Sequence, residues 1–75
     1  MNHFRLYVLH WRARNWGYYT FRTENEARDF MVGLLGETQR AYIIAKDNEP
    51  LEALIQGTNA EVNFNRIGWP EELLQ

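Results

Sequence analysis

Phe4 to Arg22, FRLYVLHWRARNWGYYTFR, is the stretch whose reading decides the fold. Phe4, Leu6 and Val8 lie on one side of a period-2 strand, and Arg5, Tyr7, Leu9 and Trp11 on the other. Trp16 to Arg22 is rich in the aromatic and β-branched types that favour strands. Between them, Arg12-Ala13-Arg14-Asn15 is a short polar connection, so the stretch reads as a β-hairpin. A four-residue loop sets Trp11 opposite Trp16, Leu9 opposite Tyr18, Tyr7 opposite Thr20 and Arg5 opposite Arg22. Phe4, Leu6, Val8, Tyr19 and Phe21 then share a core-making face. The other face collects Arg5, Tyr7, Leu9, Trp11, Trp16, Tyr18, Thr20 and Arg22, and a slip of one residue would scramble this separation.

Thr23-Glu24-Asn25-Glu26 follows as a capping box, with the threonine oxygen placed to accept from the N–H of Glu26. Ala27, Phe30, Met31, Leu34 and Leu35 continue at helical spacing within an arc of about 140°, which predicts a helix over 24–35 laid on the core-making face. Gly36 is a natural stop. Arg40 to Lys46 is a third strand whose inward set is either Tyr42/Ile44 or Ala41/Ile43/Ala45. A crossover through the helix places it in the same sheet, beside the first strand. Asp47 to Pro50 breaks the strand and starts a short helix over 51–56, although Leu51, Ala53 and Ile55 also fit a strand. After a turn at 57–59, Val62 and Phe64 alternate with polar residues as an edge strand, and Trp69 to Leu74 fits one helical turn. The expected class is α+β: one domain, 1–75, with a small antiparallel sheet in the order ββαβ and helix 24–35 on one face.

Seventy-five residues bury only about 60% of their unfolded surface, so the core is marginal by itself. Disulfides and metals staple many small domains, yet there is no cysteine and only two histidines. Stability must come from packing, and aromatics at 15% of residues serve it, since each ring removes roughly 150–250 Å² from water. No run approaches the ~20 apolar residues of a membrane span, and MNHFRLYVLH lacks a signal layout, so a cytoplasmic location is the expectation.

The inventory excludes most chemistry. Without serine or cysteine only threonine remains as a hydroxyl nucleophile, and Thr23 is better explained as a cap. His3 and His10, seven apart, fall on opposite faces of one strand and do not chelate one metal. Glu24/Glu26 and Glu71/Glu72 sit in helix first turns, where anions favour the dipole. The five glycines form no phosphate-cradling pattern. No catalytic residue, metal or cofactor is expected.

Charge is polarised. Residues 1–22 carry four arginines and no acid, +4, whereas the remainder carries four basic and ten acidic residues, −6. The arginines flank the hairpin's aromatic face, so Arg5, Tyr7, Trp11, Arg12, Arg14, Trp16, Tyr18 and Arg22 are the candidate binding residues. Trp, Tyr and Arg are the types enriched in binding hot spots.

Three readings compete for this face. The C-terminal segment, through residues such as Leu51, Ile67 and Trp69, can fold back over it as a second core. A protein partner, or a second copy of the chain, can dock on it or on an unpaired strand edge. Single-stranded nucleic acid can stack on the rings while arginines meet phosphates, although a single lysine and a pI near 5.6 oppose this. The expected function is a non-enzymatic interaction module, such as an accessory subunit, inhibitor or regulator. On that expectation, Trp11→Ala with Trp16→Ala abolishes binding and leaves folding cooperative, whereas unfolding points to the second core.

Overall fold

A computed structural model describes residues 2–10, 15–35, 39–55 and 68–73. The expected small α+β fold is observed: β1 (Phe4–His10), β2 (Gly17–Phe21), α1 (Glu24–Leu34), β3 (Gln39–Lys46), β4 (Glu49–Ile55) and a 3-10 turn at Glu71–Leu73. The four strands form one antiparallel sheet in the order β2-β1-β3-β4, which sets β3 beside β1.

The hairpin keeps the expected face assignment but not the register. Leu6 lies opposite Tyr19, Tyr7 opposite Tyr18 and Val8 opposite Gly17, a slide of two residues. A slide of two preserves side-chain parity, and so both face sets survive. The connection is longer than four residues, since pairing stops at Val8 and Gly17.

Thr23 caps α1, its Oγ1 accepting from the N–H of Glu26 at 3.1 Å. The helix ends one residue short of the expectation, with Leu35 extended and its N–H donating to the carbonyls of Met31 and Val32. Gly36, expected to stop it, lies outside the described residues. Beneath the helix, Leu6, Val8, Ala27, Tyr42 and Ile44 form a buried cluster against which Phe21, Met31 and Leu34 pack. The fully buried Tyr42 donates its hydroxyl to the Leu34 carbonyl at 3.3 Å, satisfying an orphan acceptor of the helix end and tying it to the sheet.

The ambiguity over β3 resolves because both of its faces are covered. Ala41 to Ala45 are all buried: Tyr42 and Ile44 face the helix, while Ile43 and Ala45 join Tyr7 on the far side. A short continuous apolar run is the pattern of a strand buried on both faces.

The short helix expected over 51–56 is corrected to strand β4. Asp47 and Asn48 both adopt positive φ, 49° and 69°, and Lys46 pairs with Glu49. That is the geometry of a two-residue type I′ hairpin turn, whose twist matches the flanking strands, and Asp and Asn tolerate it better than most residues. Pro50 is accommodated because β4 is an edge strand. The pairing register shifts between Ile44 and Ala45, leaving Leu51 as the extra residue of a bulge. Asn48→Ala is expected to cost about 1 kcal/mol, the left-handed penalty for a residue with Cβ and no local polar group, read as a lower urea midpoint at unchanged slope. The edge strand expected around Val62 and Phe64 lies outside the described residues. No helix among the described residues is long and apolar enough to cross a membrane.

Candidate interaction surface

On the sheet face away from α1, Tyr7, Ile43 and Ala45 form one buried cluster, and Leu9 and Ala41 another; Trp16 packs against both. Leu73 packs on the first, and Pro70 is fully buried. Trp16 donates its indole N–H to the carbonyl of Gly68 at 3.1 Å, joining the hairpin to a segment 52 residues away. Residues 68–73 therefore cover part of this face, through Gly68, Pro70 and Leu73. Of the residues the second-core reading names, Leu51, Leu54 and Trp69 remain exposed, and Val62, Phe64 and Ile67 lie outside the described residues.

This closure divides the expected site residues. Tyr7 is fully buried, and is an interior side chain rather than a contact surface. Trp16 is half-buried and engaged. Tyr18 stays 50% exposed, its ring tilted against Tyr7 at 5.6 Å between centroids. Arg5, half-buried, spans the two tyrosines: Nη1 donates to the Tyr7 hydroxyl at 3.0 Å, and the guanidinium carbon lies 4.3 Å over the Tyr18 ring. The Tyr7 hydrogen bond, with smaller attractions to Tyr7, Tyr18 and Glu72, holds the Arg5 pKa above its ordinary value against partial desolvation. Arg22 is exposed at the end of β2. Trp11, Arg12 and Arg14 lie outside the described residues.

Both outer strands stay open: β4 is exposed over 49–54, and so is most of β2. Gly17 to Thr20 are exposed, and Phe21 is half-buried. Tyr19, assigned from its parity to the core, does face the helix side but remains 47% exposed, with its ring 4.7 Å from that of Phe30. Phe30 also meets Phe21, at 5.4 Å. The aromatic cluster thus continues around the sheet margin, Tyr18 on one face and Tyr19, Phe21 and Phe30 on the other. Tyr19, Phe30 and Trp69 were not among the expected site residues. Their signal was present in residue type, but exposure depends on where the helix axis crosses the sheet.

The two sheet edges differ. β4 carries Pro50, the Leu51 bulge and the charged Glu49 and Glu52, all devices that discourage a further strand. β2 reads Gly-Tyr-Tyr-Thr-Phe, with no charge, no proline and no bulge in its pairing, and among the described residues no strand adds to its outer side.

Elsewhere, His3 Nδ1 lies 3.0 Å from Asp47 Oδ1, and the Asp47 N–H donates to the His3 carbonyl, in an open polar depression lined by Asn2, His3, Arg5, Asp47 and Asn48. No three His, Cys, Asp or Glu side chains among the described residues gather as a metal site. No protein-family model, curated protein or solved structure matches this chain.

Proposed function

We propose that this chain is a small non-enzymatic interaction module, an accessory subunit, inhibitor or regulator, that docks a protein along the outer edge of β2. The observation that carries the reading is the difference between the edges, one blunted by proline, bulge and carboxylates and the other, among the described residues, bare. A bare edge offers a row of backbone donors and acceptors to an added strand, and flanking side chains supply specificity. Tyr18, Tyr19 and Phe30 are exposed on either side of it, and they are of the rigid aromatic kind that anchors interfaces. Burial of Tyr7 and the engagement of Arg5 with Tyr7 and Tyr18 subtract one ring and one free cation from a nucleic-acid platform, so the edge is the better supported surface.

Charging the edge tests this. The double variant Tyr18→Lys, Tyr19→Lys is expected to keep the wild-type circular dichroism and lose the protein, or the second copy, that the wild type retains from host lysate. Nuclease treatment is expected to leave that retention unchanged. A folded double variant that still holds the same partner sinks the proposal, and so does retention that disappears with nuclease.

A further inference from the structure

An edge strand that is open to a partner is also open to itself, and β2 fits itself well. Its five residues have Tyr19 at their midpoint, so a two-fold axis there pairs Tyr19 with Tyr19, Tyr18 with Thr20 and Gly17 with Phe21 of the other copy. The space above Gly17 is open, with no atom within 4 Å of where a Cβ would stand, so the Phe21 ring of the second copy has room beside it. Aromatic cover of a strand glycine is a stabilising cross-strand arrangement. On the helix side, the Phe30–Tyr19 pair of each copy meets its equivalent, giving a four-ring row across the axis. No Asp, Glu, Lys, Arg or His occurs in 17–21, so no like charges are directly opposed within the pairing at neutral pH.

We infer that the occupant of this edge is a second copy of the chain, with β2 paired antiparallel to β2 to make one eight-stranded sheet from two four-stranded ones. The inference rests on the edge-docking reading above. The arrangement is isologous and uses each bare edge once. The new sheet ends on two β4 strands, whose Pro50 and bulge stop further growth, so assembly halts at two. A five-residue strand pair with its flanking rings is small beside the ~1,200 Å² of standard interfaces, so the dimer is expected to be weak and to depend on concentration.

Sedimentation of the purified chain over a concentration series is expected to show a mass moving from 9.0 kDa toward twice that value. Tyr19→Lys is expected to stay at 9.0 kDa while still unfolding cooperatively. Because the chain has no cysteine, Tyr19→Cys reads the register directly. Antiparallel pairs place opposed Cα atoms about 4.5–5.5 Å apart, within disulfide reach, so mild oxidation is expected to link this variant into a dimer. Val32→Cys, at a 58% exposed helix position away from the edge, is expected to stay unlinked. A mass of 9.0 kDa at every concentration, a Tyr19→Lys dimer, or equal cross-linking of the two cysteine variants overturns the inference. A monomer that still holds a host protein through Tyr18 and Tyr19 overturns the dimer alone; a monomer that holds none overturns the docking reading with it.

Discussion

Trp16→Ala is expected to lower the thermal midpoint by more than about 10 °C. The indole lies across both clusters of the face opposite α1 and donates to the Gly68 carbonyl, so its loss removes apolar contact and frees residues 68–73 together. Truncating a buried Trp costs about 3–5 kcal/mol, and the low end suits a half-buried ring. A chain of this length has roughly 4–11 kcal/mol in all, and each kcal/mol moves the midpoint by about 4–8 °C. Trp16→Phe keeps most of the packing and loses only the N–H donor, for about 1 kcal/mol. Calorimetry of the three proteins checks both values. A shift under about 3 °C for Trp16→Ala would mean that the ring lies on an open surface, the arrangement the sequence favours by pairing it with Trp11.

Ile43→Ala and Ile44→Ala are expected to destabilise nearly equally, by about 3 kcal/mol each. The two are neighbours on β3, both fully buried, and they point to opposite sides of the sheet. Ile44 sits under α1, a conventional core site where Ile→Ala costs about 2–5 kcal/mol. Ile43 sits with Tyr7, Ala45, Trp16 and Leu73. Equality of the two losses therefore measures how firmly residues 68–73 close the second face. In urea titrations at equal slope, a loss under about 1 kcal/mol at Ile43 against the full loss at Ile44 would show that face open in solution.

The elements legible in the sequence were those fixed by short-range chemistry. Thr23 and Glu26 place the start of α1, and the alternation of β1 and β2 assigns their faces. Register is set by where the turn is centred, one residue nearer the N-terminus than the polar run 12–15 implies, and only the parity of the error preserved the assignment. β4 was misread because Asp-Asn is a weaker hairpin signal than Asn-Gly or Asp-Gly, and because Pro50 suits a helix start as well as an edge strand. Arg5, Tyr7 and Tyr18 do come together, as parity required. Their burial was not legible, because Tyr7 is covered from the far end of the chain while Tyr18 is not. Tyr19 fails in the opposite sense: it faces the helix side, but α1 leaves that margin of the sheet half uncovered.

The hydrogen bond between Trp16 and Gly68 also orders events in time. Among the described residues, the helix-side cluster draws only on residues 6–44, whereas the other side is also covered from 68–73. Local opening of that distant segment therefore uncovers Tyr7 and Ile43 before the helix side is disturbed. In that opened state the chain would be most exposed to misassociation, and a chaperone or a cognate surface would have the most to hold.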